Sequence, residues 1–314
     1  MKQTKRYALQ DSALYKCTTK KKLASLLKTE TNIILDPKLM SYRSWQEPKK
    51  GGGFRTLNSP NYQLKCIQRR VYRLLSPCIR PNWVVGGEKG KSHVDNSRVH
   101  QHSKYFLLKD IKGFYDHCTR ENVYQFFRQE VKAAPDVAEI LANLTTVNGT
   151  ILQGFPTSLI LTYYAYRAMF QEIFEAAERH GCKFTLFVDD MTFSSKEPFD
   201  HSALSYDANR ILKKYGHSSK VGKTRYRGAD KAKSVTGVIV SSDSQLQVPN
   251  KLHHEISKSF HQLKIWSKDR SLVCDNTFEK LRNRTLGQIN SIHSIEPTKF
   301  GGMKQAIISM NKGA

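Results

Sequence analysis

Apolar residues return at helical spacing in the first part of the chain. Residues 18–29 place Leu23, Leu26 and Leu27 on one face, with Thr18 or Thr19 as the cap, and predict a short helix. YRSWQEPKKGGGFRTLNSP then reads as two extended segments around a glycine turn at Gly51–Gly53. Leu64, Ile67, Val71, Leu74 and Leu75 repeat at the interval of an amphipathic helix that Pro77 ends. A strand is predicted over Tyr105–Leu108, running into Asp110, and a helical stretch over about Arg120–Leu144. Asn148–Gly149 is a hairpin-turn pair. Residues 157–179 predict one long helix packed through Leu159, Ile160, Tyr163, Tyr166, Met169 and Phe170. KFTLFV and MTFSS are β-rich runs joined by Asp189–Asp190. A helix over about Ser202–Tyr215, a strand SVTGVIV and a mostly helical stretch from about residue 250 complete the pattern. Helices before, between and after such strands predict an α+β architecture.

The 314-residue chain is long enough to bury a large core. Its 51 Lys and Arg against 27 Asp and Glu make a net charge of +24. A mean hydropathy of −0.54 and the absence of any bilayer-length apolar run exclude a polytopic membrane protein, and no membrane partner is expected. The basic N-terminus has no continuous apolar stretch behind it, so no secretory signal is expected. Six scattered cysteines, none in a C-x-x-C pair, read as reduced thiols of a cytoplasmic protein. Arg210–Lys233 carries nine Lys and Arg with Asp230 as its only acid, and Tyr215 and Tyr226 are interleaved. Cations mixed with aromatics favour a nucleic-acid partner over a merely basic surface or an acidic-membrane contact.

Three acids stand where apolar residues are expected. Asp110 lies within YFLLKDIKGFY, and Asp189 and Asp190 lie within FTLFVDDMTF. A carboxylate at the end of a buried strand is costly unless paired or metal-bound. Asp is common in turns, so the DD pair alone says little. With Asp110 it makes an oxygen-rich site suited to hard divalent cations and phosphoryl transfer.

The order Asp110-x4-Tyr115, then Gln153-Gly154-Phe155-Pro156-Thr157-Ser158, then Phe187-Val188-Asp189-Asp190 resembles motifs A, B and C of reverse transcriptases. Further features resemble the bacterial retron subgroup. Asn96 and His100 within Gly86–His100 match its Asn-x-x-x-His segment, and Val235-Thr236-Gly237 matches its Val-Thr-Gly signature. PKKGGGFRTLNSPNYQLKCIQ resembles the fingers entry, and LGQIN a thumb segment, so the likeness covers about residues 18–297. Phe187 replaces the usual motif C tyrosine, Leu159 follows the motif B serine where proline is common, and Asn96-Ser97 replaces Asn-Ala.

The resemblance implies a right-hand polymerase. Residues 1–104 would form N-terminal helices and fingers, 105–245 a palm with a fingers insertion at about 120–150, and 246–314 a helical thumb. It implies RNA-directed DNA synthesis with two Mg2+ ions and deoxynucleoside triphosphates. Asp110 and Asp189 would bridge the metals, Asp190 would support them, and the Ile111 carbonyl would also touch a metal. Tyr115 resembles the steric gate under the incoming sugar, with Phe114 as the competitor. Gln153 and Gly154 would lie near the nascent base pair, and Arg55, with Lys49 or Lys50, would grip the triphosphate. Lys223 would protonate the leaving pyrophosphate or contact a backbone phosphate. Asn96, His100, Lys220, Arg225, Arg227, Val235, Thr236 and Gly237 are the candidate RNA contacts; a satisfied histidine and a plain strand are the alternatives for His100 and for 235–237.

Retron likeness further implies a cognate structured non-coding RNA as template and as 2′-hydroxyl primer, and a branched RNA–DNA product. It also implies a role in anti-phage defence, with an effector on a separate chain. Another reverse transcriptase lineage, intron-derived or diversity-generating, and a non-catalytic RNA-binding scaffold are the alternatives.

Overall fold

The Thr19 hydroxyl accepts the Lys22 amide hydrogen and starts helix α1 (Lys20–Leu27) where the sequence predicts it. Leu23 and Leu27 are buried on its apolar face, and α2 (Thr31–Leu35) follows. The structure, a computed structural model, describes residues 6–49 and 52–310. The glycine-turn ribbon forms as β1 (Tyr42–Pro48) paired antiparallel with β2 (Phe54–Pro60). Left-handed Gly52 and Gly53, at φ 90° and 74°, turn its tip. Lys50, expected at the triphosphate, lies outside the described residues. Helix α3 (Tyr62–Leu75) is capped by the Asn61 side chain and buries the five predicted apolar positions. Helix α4 (His93–His100) starts with a reciprocal Ser92–Asp95 cap, and β3 (Tyr105–Asp110) ends on the first of the three acids.

Three predicted elements are broken by the structure. The helix expected over 120–144 is two, α5 (Arg120–Gln125), running into a π-helical turn, and α6 (Pro135–Thr145). Lys132 turns left-handed between them, and Pro135, which has no amide hydrogen, starts the second. The long helix over 157–179 breaks at Tyr166 into α7 (Ser158–Ala165) and α8 (Arg167–Arg179). The Tyr166 hydroxyl accepts from the Thr119 amide at 3.0 Å and donates to the His117 carbonyl at 2.8 Å, tertiary bonds that no helical period announces. Beyond β4 (Lys183–Phe187), β5 (Asp190–Ser195), α9 (His201–Lys214) and β6 (Arg225–Arg227), the strand expected over SVTGVIV is a hairpin. Its arms are β7 (Lys233–Val235) and β8 (Val238–Val240), turned by left-handed Thr236 and Gly237. The short β9 (Leu246–Gln247) and helices α10 (Asn250–Lys268), α11 (Asp275–His293) and α12 (Gly301–Ser309) complete the chain.

The strands form the β1–β2 ribbon, a four-stranded sheet in the order β4-β5-β3-β6, and a three-stranded sheet in the order β7-β8-β9. Helices with these sheets make the α+β class that the pattern predicts. Two compact units divide the chain. One comprises the chain up to Gly90, Leu107–Phe193 and Phe199–Arg225; the other comprises Lys91–Phe106, Ser194–Pro198 and the chain from Tyr226. Each has its own core, the first around residues such as Leu64, Phe127, Phe170 and Phe193, the second around Ile256, Phe278 and Ile289. All six cysteines are free, and no described helix is long and apolar enough to cross a membrane.

One buried ion pair sits in the first unit. Arg80 Nη2 lies 2.6 Å from Glu88, their side chains being 1% and 3% exposed, and it also donates to the Gly87 carbonyl at 2.9 Å. Arg6 also pairs with Glu88. Removing one member of such a pair leaves a charge buried without its partner, a loss of about 3–5 kcal/mol. Glu88→Ala is therefore expected to lower stability by about that amount, read as a shift of the denaturant midpoint; an unshifted midpoint would contradict the buried pairing.

Candidate active site

β5 and β3 are neighbours in the sheet, so Asp190 at the start of one strand and Asp110 at the end of the other come together. Asp189 lies in the β4–β5 turn, and its carbonyl accepts the Ile111 amide hydrogen at 3.1 Å. The turn depends on Val188, a β-branched residue held at φ 65°. Asp110 is 6% exposed, and the other two acids are half-buried. Burial, then the charges of Asp190 and Asp110, push the Asp189 carboxyl up to about 6. Burial and Asp110 likewise raise Asp190.

The counter-charge comes from Lys223, which forms an ion pair with Asp110. Burial works against its ammonium, but the bond to Asp110 and the charges of all three acids hold its pKa above the ordinary lysine value. The chain brings this lysine in by zippering onto the end of β3. The Lys112 amide donates to the Ser218 carbonyl at 2.8 Å, and the Lys220 amide donates to the Asp110 carbonyl at 2.8 Å.

Tyr115 is separated from Phe114 by its surroundings. Phe114 is buried and packs on Tyr166, Phe170 and His217. Tyr115 is half-buried and senses the charge of Asp189: burial first, then that charge, raise its phenol well above the usual range. Gly154, at φ 105°, lies against β2, where a Cβ would come within 2.4 Å of the Asn58 carbonyl oxygen. The Gln153 carbonyl accepts from the Asn58 amide at 2.9 Å and from its side chain at 3.2 Å. Arg55 faces its cross-strand partner Glu47 at 2.8 Å on the exposed ribbon, and no described contact joins it to the aspartates.

Among the described residues, no three His, Cys, Asp or Glu side chains stand in an arrangement that holds a metal ion. The chemistry of the donor set nevertheless suits a hard divalent cation. Burial and the charge of Asp110 oppose the ionisation of Asp189 and Asp190, and one lysine offsets them.

The pattern of the family described as reverse transcriptase (RNA-dependent DNA polymerase) matches residues 47–240, well over half of the chain, and spans all three acids. The chain belongs to the reverse transcriptase family. Its relatives include the Retron Ec48 reverse transcriptase of Escherichia coli, 25% identical over 90% of this chain and 71% of that one. The Retron Se72 reverse transcriptase of Salmonella heidelberg is 24% identical over 55% of this chain and 45% of its own length. In fold, this reverse transcriptase is similar to a telomerase from Candida albicans, solved with a fragment of telomeric RNA. The TM-score is 0.51 at 14% identity, over 91% of this chain and 58% of that one.

The retron-like segments of this reverse transcriptase lie in the second unit, and several of their side chains turn inward. Asn96, His100 and Val235, expected at RNA, are fully buried. Asn96 Nδ2 donates to the Thr236 hydroxyl at 3.4 Å, and the Ser97 hydroxyl donates to the Val235 carbonyl at 2.9 Å. His100 Nδ1 shares a hydrogen bond with the Ser194 hydroxyl at 2.7 Å, which donates on to Ser103 at 2.9 Å. The physical reason is that polar groups inside a core need partners: the hairpin supplies them to Asn96 Nδ2 and Ser97, and Ser194 of β5 supplies one to His100. Thr236 is half-buried and Gly237 exposed at the hairpin turn; Lys220 and Arg225 are exposed, and Arg227 is half-buried. Lys233, counted in the basic run, is 1% exposed, and its Nζ donates to the Ala229 carbonyl at 3.0 Å.

Sequence reasoning missed His217, a buried imidazole within ring distance of Phe114, Tyr166 and His117. Burial, then His117, lower it to about 4, so it is neutral at neutral pH. No local pattern in the sequence marks it, because the rings that bury it come from distant segments.

Asp189 in the folded protein keeps its proton up to about pH 6, against about 3.9 when unfolded. Stability from this group is therefore full below about pH 4 and is lost as pH rises through about 6. In chelator at pH 8, Asp189→Asn is expected to stabilise the protein by on the order of 2 kcal/mol, the gain shrinking toward pH 4. Denaturant unfolding at the two pH values checks this; a destabilised variant at pH 8 would contradict it.

Proposed function

We propose that this reverse transcriptase works as a retron enzyme. It copies a cognate structured non-coding RNA into DNA, starts from an internal 2′-hydroxyl of a guanosine in that RNA, and leaves a branched RNA-linked single-stranded DNA. Its setting is anti-phage defence alongside an effector protein on a separate chain. The retron names of its relatives support this reading. The observation that carries the chemistry is the meeting of Asp110, Asp189 and Asp190 with Lys223.

Asp110 and Asp189 would hold two magnesium ions, with Asp190 and the Ile111 carbonyl in support. When bound, these ions supply Lewis-acid charge for in-line attack of the primer hydroxyl on the α-phosphate. Lys223 holds a proton at Nζ and delivers it to the departing pyrophosphate, since its raised pKa keeps it protonated at neutral pH. Tyr115 forms the wall under the sugar and excludes a ribose hydroxyl. Gln153 and Gly154 flank the nascent base pair. Arg55 leaves Glu47 to grip the triphosphate with its planar fork. Exposed Lys220 and Arg225 are RNA contacts of the first unit, and Arg227, Thr236 and Gly237 are RNA contacts of the second. Residues 1–104 act as N-terminal helices and fingers, 105–245 as palm with a fingers insertion at about 120–150, and 246–314 as helical thumb.

Primer extension with magnesium and deoxynucleotides tests the chemistry. Asp189→Asn is expected to lower it by roughly three orders of magnitude, the loss of several kcal/mol of transition-state charge stabilisation. Unchanged extension with RNA binding intact would leave only an RNA-binding scaffold. Sequencing the nucleic acid bound to protein isolated from cells, and testing its RNA–DNA junction for a 2′–5′ bond, checks the retron product; a plain 3′–5′ junction would reject it. Tyr115→Ala is expected to raise ribonucleotide incorporation about tenfold or more, and an unchanged sugar preference would remove the gate.

A further inference from the structure

Residues 83–88 have no part in the chemistry above, yet they lie along the back of the turn that carries two of its carboxylates. β4 is an edge strand of its sheet. Val84 bridges to Leu186 in parallel fashion. The Leu186 amide donates to the Trp83 carbonyl at 2.9 Å, and the Val85 and Gly86 amides donate back to the Leu186 carbonyl at 2.9 and 3.1 Å. The segment thus acts as a strap on the last residues before Val188. Both of its ends are anchored. Trp83 stacks on Phe174 with ring centroids 5.5 Å apart, and the buried Arg80–Glu88 pair closes the far end.

Gly86 is the point of closest approach. A Cβ there would stand 2.4 Å from the Val188 nitrogen and 2.9 Å from the Phe187 carbonyl carbon and Cα, so backbone would have to move. Its own φ is not left-handed, so only the lack of space requires glycine. The peptide it touches leads into Val188, whose φ of 65° is unfavourable for a β-branched side chain. Such a conformation persists where its surroundings over-determine it.

We propose that Gly86 is a positioning residue for catalysis: the 83–88 strap clamps the Phe187–Val188 peptide from behind, holds Val188 left-handed, and so presents Asp189 and Asp190 beside Asp110. This rests on the reading of Asp189 as a catalytic carboxylate. A methyl group added at 86 displaces the turn and moves the carboxylates, while the surfaces that bind nucleotide and primer–template keep their contacts.

The test compares Gly86→Ala with Gly90→Ala and Asp189→Asn in the full-length protein. Gly90 is left-handed at φ 83° with nothing within 4 Å of the place a methyl would take, so alanine there carries a backbone cost without touching the turn. For Gly86→Ala, kcat of primer extension is expected to fall about 100-fold, the scale of a roughly 1 Å misplacement. KM for deoxynucleotide and Kd for primer–template stay within about threefold. Mn2+ affinity, read without turnover from the electron paramagnetic resonance of free Mn2+, falls about tenfold. Gly90→Ala is expected to lower the melting temperature and keep kcat per folded molecule. A Gly86→Ala protein with parental kcat and Mn2+ affinity overturns the proposal, as does a loss matched by Gly90→Ala. Should Gly86→Ala not fold, Trp83→Leu loosens the near anchor and is expected to show the same split of kcat from KM; its absence counts against the strap. If Asp189→Asn extends primers as well as the parent, the active-site reading fails instead, whatever Gly86 does.

Discussion

Mutual repulsion among three carboxylates in a poorly solvated place is the constraint around which the first unit is arranged. Burial raises the cost of ionising Asp189 and Asp190, and the charge of Asp110 adds to it at both. Folding tolerates the cluster because the backbone around it is pinned from several directions. The Ile111 amide holds Asp189, the Ser218–Lys220 segment is bonded along the end of β3, and Lys223 places its ammonium on Asp110. A group of charges that destabilises the protein is a common mark of a working site, where stability is given up for chemistry. Here the repulsion that opposes folding is what a bound divalent cation would relieve.

The excess of positive charge has a different distribution from that suggested by the raw count. Some cations of the basic run have partners within the protein: Lys214 pairs with Glu172 and Arg210 approaches Asp207, both staying on the surface, while Lys233 is buried. Lys220 and Arg225 remain exposed. In the second unit, the Asn96–His100 helix and the Val235–Gly237 hairpin are parts of one hydrogen-bonded assembly. Their joint presence in the chain has a structural reason, because three hydrogen bonds join them.

Much of the fold was legible in the order of residues. The α1 cap, the β1–β2 ribbon, the apolar face of α3 and the β4–β5 hairpin follow from short-range rules of capping, turn chemistry and periodicity. The breaks at Lys132–Pro135 and Tyr166, and the turn within SVTGVIV, were not read. Pro135 and Gly237 carried a visible signal that the surrounding apolar pattern outweighed. Tyr166 carried none, because its hydroxyl meets partners more than forty positions away.

At the site, the residue types and their spacing along the chain were enough to single out Asp110, Asp189 and Asp190, since an acid ending one apolar run together with an acid pair between two others carries a desolvation cost that a plain turn does not explain. Which neighbours face that cluster was decided only in three dimensions. Strand order brought β5 beside β3, core packing took Phe114 inward and left Tyr115 near Asp189, and the burial of Asn96 and His100 withdrew them from the surface. Local sequence determines backbone preference and the chemical character of each position over a few residues. The distance between two side chains, and the water left around them, depend on contacts between segments far apart in the chain.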